Sequence, residues 1–100
     1  MIKHQTIHDL LAELEGKLAP TGFEVVDHWD ADLCAIGIQR GNKLVYIANA
    51  NYIGQQPMKY DFDLELLPPG DNSAYNVVYE GRGVLEAELI DAITEFWSAK

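Results

Sequence analysis

Cysteine is nearly absent from this 100-residue chain: Cys34 stands alone, so no internal disulfide can form. Positive charge is scarce as well. Seven Lys and Arg residues face 16 Asp and Glu, for a net charge of −9. That balance argues against direct phosphate-backbone binding, which requires clustered cations. Serine occurs only at Ser73 and Ser98, outside any nucleophile elbow, which excludes the usual serine triad. No run approaches the roughly 20 apolar residues of a membrane span. The N-terminal stretch carries Asp9, Glu13 and Glu15 where a secretory leader would be apolar. The expectation is a soluble, cytoplasmic protein.

What is present is globular. Hydrophobic residues make up 48% of the chain and charged residues 23%, enough for one domain, residues 1–100, with one core. Ile7, Leu10, Leu11, Leu14 and Leu18 recur at helical spacing, predicting a helix from about Thr6, as N-cap, to Leu18, stopped by Pro20 and Gly22. Residues 23–29 are rich in β-formers. Residues 33–39 read as a second strand, with Cys34, Ile36 and Ile38 on one face and the small Ala35 and Gly37 on the other. Arg40-Gly41-Asn42-Lys43 is a tight hairpin turn into a third strand, residues 44–48.

Residues 49–57 read as a loop or irregular edge, and 58–66 as a fourth strand of strict alternation. Met58, Tyr60, Phe62, Leu64 and Leu66 point one way, and Lys59, Asp61, Asp63 and Glu65 the other. Residues 68–72 form a turn, residues 75–80 a fifth strand, and Gly81-Arg82-Gly83 a break. Leu85, Leu89, Ile93, Phe96 and Trp97 stripe a last helix, about 85–98. The fold expected is α+β: an antiparallel sheet of about five strands with an N-terminal and a C-terminal helix on one face, a two-layer sandwich. Its core should include Leu10, Leu14, Cys34, Ile36, Phe62, Leu64, Leu89 and Ile93.

Chemistry-bearing constellations are sparse. His4 and His8 are four apart, but the first precedes the helix and no third metal ligand is evident. Asp27, His28, Asp30 and Asp32 surround Trp29; a carboxylate–histidine pair could move protons. Alternation, however, sends Asp27 and His28 to opposite faces, and Asp30 and Asp32 look like turn residues. Asp61, Asp63 and Glu65 form a row of carboxylates roughly 7 Å apart, too far for one ion on a straight strand. The row reads as a solubilising face or as a docking surface for a basic partner. Cys34 lacks a nearby base in sequence and reads as a buried structural thiol. Gly81-x-Gly83 lacks the remaining features of a phosphate loop.

Five tyrosines stand out, at 46, 52, 60, 75 and 79. Tyrosine suits interfaces because it buries area and keeps a polar tip. Tyr75 and Tyr79 are expected to share a strand face with Val77, and Tyr46 with Leu44. Tyr46, Tyr52 and Tyr79 could supply an aromatic patch for a homodimer, with residues 49–56 as a poorly guarded sheet edge.

The helix followed by Asp32-Leu33-Cys34-Ala35-Ile36-Gly37-Ile38 resembles, in element order, the acidic secretion chaperones, small dimers with an N-terminal helix and a curved sheet. The mid-sheet helix of those proteins has no counterpart in the polar segment 49–57, which ends in Pro57. In size and charge the chain also resembles small acidic immunity and inhibitor proteins. Neither resemblance reaches a motif, so no family is assigned.

The function expected is therefore that of a small, acidic, non-enzymatic binding protein of inhibitor, immunity or chaperone type. Its partner-binding residues would be Asp61, Asp63, Glu65, Tyr46, Tyr52 and Tyr79. No cofactor, metal or catalytic residue is assigned. The alternative is a ligand-binding protein or enzyme with a pocket between helix and sheet, using Tyr60, His28 or Trp29.

Overall fold

The computed structural model describes residues 2–29, 31–68 and 76–99. The expectations for Asp30, for Tyr75 and for the turn at 69–72 lie outside the described residues. Within them the order is α1 (Gln5–Lys17), β1 (Glu24–Val26), β2 (Ala35–Arg40), β3 (Lys43–Ala48), a 3-10 turn (Ala50–Tyr52), β4 (Lys59–Leu66), β5 (Asn76–Leu85) and α2 (Glu86–Ser98). The strands form one antiparallel sheet in the order β1-β2-β3-β4-β5. This is the α+β arrangement expected from the sequence.

One sheet face carries both helices. Ile7, Leu10, Leu11, Leu14 and Leu18 of the first helical stripe share a core with Leu89, Ile93, Phe96 and Trp97 of α2. Between them lie Ile36 and Ile38 of β2, Val45 and Ile47 of β3, and Tyr60, Phe62 and Leu64 of β4. The inward alternation of β4 is thus as its sequence requires. Cys34 differs from expectation. It precedes β2 and is only half-buried, so it is not a core thiol.

Helix α1 is capped by His4, not Thr6: the His4 Nδ1 accepts the Thr6 N–H at 3.2 Å. Thr6 lies inside the helix, where its hydroxyl accepts from the Asn49 Nδ2 at 2.8 Å. Asn49 is fully buried and also donates its N–H to Cys34 O at 3.0 Å. It ties the start of α1 to the connection between β3 and β4. Residues 49–57 join two interior neighbours of the sheet and are no edge; the edges are β1 and β5. The β2–β3 turn is as expected, with Gly41 at φ 61° and Arg40 paired with Lys43.

Strand β5 also departs from expectation, since Gly81-Arg82-Gly83 continues it. A Cβ on Gly81 would lie 2.1 Å from the Phe62 ring, so a bare backbone is what lets the strand cross that ring. Two bulges accommodate the crossing. From Tyr60↔Val84 to Phe62↔Gly81, β4 advances two residues and β5 three; from Leu64↔Tyr79 to Glu65↔Val77, it advances one and β5 two. At the far end of the molecule, Lys43 Nζ caps α2 by donating to the Phe96 carbonyl at 2.7 Å. No helix among the described residues is long and apolar enough to cross a membrane.

Candidate functional site

The sheet face away from the helices gathers most of the residues singled out in the sequence. Register places Leu44 opposite Glu65, Tyr46 opposite Asp63 and Ala48 opposite Asp61, all on this open face. Five of the six expected binding residues, Asp61, Asp63, Glu65, Tyr46 and Tyr52, therefore meet here.

The sixth, Tyr79, does not. The bulge beside Glu65 sends Val77 to the open face and Tyr79 to the helix face, where its ring centroid lies 5.9 Å from that of Phe62. The expected sharing of a face by Val77 and Tyr79 is thereby corrected. So is the aromatic patch of Tyr46, Tyr52 and Tyr79: a bulge is invisible to a period-two reading.

Part of the open face is roofed by its own chain. After Val26 the backbone leaves the sheet, which is why the first strand is shorter than its β-forming sequence. Trp29 folds back over Gly37, where a Cβ would sit 2.8 Å from the indole. Its ring centroid is 4.7 Å from that of Tyr46 and 5.5 Å from that of His28. Lys3 holds this flap in place. Its ammonium, fully buried, donates to Trp29 O at 2.9 Å and Asp32 O at 2.7 Å, and pairs with Asp27 at 2.8 Å. The Lys3 hydrogen bond keeps the Asp27 carboxyl below its ordinary range. Asp32 Oδ1 accepts the Cys34 N–H at 2.9 Å, the turn role expected of it. Asp27 and Asp32 thus act in architecture.

The three acids of β4 differ in their surroundings. Asp61 accepts the Tyr52 hydroxyl at 2.7 Å and the Gly83 N–H at 2.9 Å. That bond to Asp61 raises the Tyr52 pKa. Asp63 pairs with Arg82 at 3.0 Å, and Arg82 reaches on to Glu80 at 3.7 Å. Glu65 has no ion pair among the described residues, and burial, followed by the Asp63 charge, raises its pKa; the field of His28 opposes that rise. Burial also raises the Tyr46 pKa, with the acids Asp32, Asp63 and Asp61 adding to it. Among the described residues no group of three or more His, Cys, Asp or Glu side chains is placed to hold a metal ion.

The sequence reading missed Lys3, which looks like a terminal surface lysine, and Arg82, which lies in an apparent strand break. A groove does lie between helix and sheet, but not at the residues the sequence suggested for such a pocket. A cavity of about 520 Å³ lies between β5 and α2, floored by Phe62, Leu64, Val84 and Phe96, walled by Tyr79 and rimmed by Glu88 and Glu95. The residues proposed for a helix–sheet pocket do not converge on it. Tyr60 is buried in the core, whereas Trp29 packs on the opposite face beside His28. Comparisons with family models, curated proteins and solved structures found no match.

Proposed function

We propose that this chain is a non-enzymatic binding protein, of inhibitor, immunity or chaperone type, that engages a basic partner through the open face of its sheet. The observation that carries the reading is the convergence of Asp61, Asp63, Glu65, Tyr46 and Tyr52 beside Trp29. Such a face offers cations both carboxylate oxygens and aromatic surface. Glu65 is the acid best placed for an incoming Lys or Arg, because Asp61 and Asp63 already serve Tyr52, Gly83 and Arg82. A net charge of −9 would speed encounter with a basic surface.

The experiment is affinity capture from the native host with mass spectrometry, using the wild type and Glu65→Gln. Recovery of one basic protein, weakened by the substitution and by salt, is expected. Equal recovery of that protein by folded Glu65→Gln, unaffected by salt, contradicts the reading. The second reading, a ligand pocket between helix and sheet, is favoured by the groove beside α2. It predicts a small molecule retained on the purified protein, displaced when Ala92→Leu fills the groove.

A further inference from the structure

We infer that the outer edge of β5, with the groove beside it, takes up an extended segment of another protein in which apolar and cationic side chains alternate. The inference is independent of the open-face reading, because the groove lies on the helix side of the sheet.

The two sheet edges are unequal. β1 is three residues long and offers little to pair with. β5 is ten residues long, and among the described residues all of its ladder partners lie on β4. Edge strands are normally guarded by shortness, by Lys or Pro, or by bulges, because an open row of N–H and C=O groups templates further pairing. β5 contains neither Lys nor Pro. Instead Val77, Val78 and Tyr79 follow one another at 48%, 53% and 58% exposure. Its two bulges limit the straight run available, so main-chain pairing alone would be weak. The remainder has to come from side chains.

The groove supplies that remainder. In an added strand alternate side chains would point to the helix side, over Phe62, Leu64, Val84 and Phe96. These positions call for apolar residues. The intervening side chains would point to the open face, toward Glu80, which is 61% exposed at its side chain and shares the single cation Arg82 with Asp63, so that the trio keeps a net negative charge. These call for cations.

Charge decides between a foreign strand and a second copy. The groove is rimmed by Glu88 and Glu95, and α2 carries Glu86, Glu88, Asp91 and Glu95 with no Lys or Arg. A second copy would bring another net −9 to this acidic margin. A cationic, alternating strand complements it.

The test uses an end-blocked synthetic peptide of about ten residues, alternating valine and lysine, titrated into the isotopically labelled full chain. Controls replace its lysines by glutamate, or group the same residues into an apolar and a cationic block. The alternating peptide should shift the amides of β5 and of Phe96, slow hydrogen exchange along β5, and leave Trp29 and Tyr46 unmoved. Val78→Lys, an exposed change that adds an edge guard, should weaken binding roughly tenfold with the fold intact. Ala92→Leu, which fills the groove, and Glu80→Gln, which removes the exposed open-face acid, should each weaken it similarly. Three results would each overturn the inference: no β5 shift at millimolar peptide, equal binding of the glutamate peptide, or sedimentation showing a dimer of the chain that Val78→Lys dissociates.

Discussion

Lys3 ties the N-terminal segment to the flap over the sheet through a single side chain. A fully buried ammonium is tolerable only if its protons find acceptors, and here they find Trp29 O, Asp32 O and the Asp27 carboxylate. Because Lys3 lowers the Asp27 pKa on folding, this pair stabilises the fold above the ordinary carboxylate range, and the contribution is lost as pH falls through the lowered value. Lys3→Met should therefore lower the Tm clearly at neutral pH and by less in acid. Melts showing no deficit at pH 7 would contradict the staple. Glu65 has the opposite sign. Its folded pKa is raised, so its ionisation opposes folding, and the cost grows as pH rises through the raised value. Glu65→Gln should stabilise the protein at neutral pH, with the gain vanishing in acid. A gain that does not change with pH would mean that Glu65 titrates in the fold as it does in the unfolded chain. At Gly81 the constraint is steric. A Cβ 2.1 Å from the Phe62 ring must displace it, so Gly81→Ala should cost about 1–3 kcal/mol in urea unfolding.

At the scale of elements, helix α2 closes the core along β3, β4 and β5. Leu89 is fully buried, and Leu89→Ala should cost about 2–5 kcal/mol by chemical denaturation. A change below about half a kcal/mol would mean an undocked helix. Elements with an uninterrupted period were legible in the sequence: the stripe Ile7, Leu10, Leu11, Leu14 and Leu18, the alternation of β4, and the Gly41-Asn42 hairpin. What escaped was tertiary in origin. β1 ends early because Lys3 draws the following residues over the sheet, a bond spanning 26 residues of sequence. β5 runs through Gly81 because Phe62 lies beneath it and through Gly83 beside Tyr52, and its bulges move Tyr79 to the other face. The open-face residues were found because β4 alternates strictly; their aromatic neighbour Trp29 arrives through a flap that no local pattern encodes.

The whole molecule is a two-layer sandwich whose faces differ in chemistry. The helix side buries the core and leaves a groove with an acidic rim, while the open side mixes carboxylates with Trp29, Tyr46 and Tyr52. With 16 acids against seven bases, long-range attraction to a basic surface should be strong at low salt and screened beyond roughly 10 Å at 0.1 M. The central claim is that binding is delivered by the open face. The most direct measurement is an amide-shift map of the labelled protein with its captured partner, at low and at high salt. Shifts centred on Trp29, Tyr46, Asp63 and Glu65 that fade as salt rises are the expected result. Shifts that leave these four residues untouched, or that persist unchanged at high salt, would contradict it.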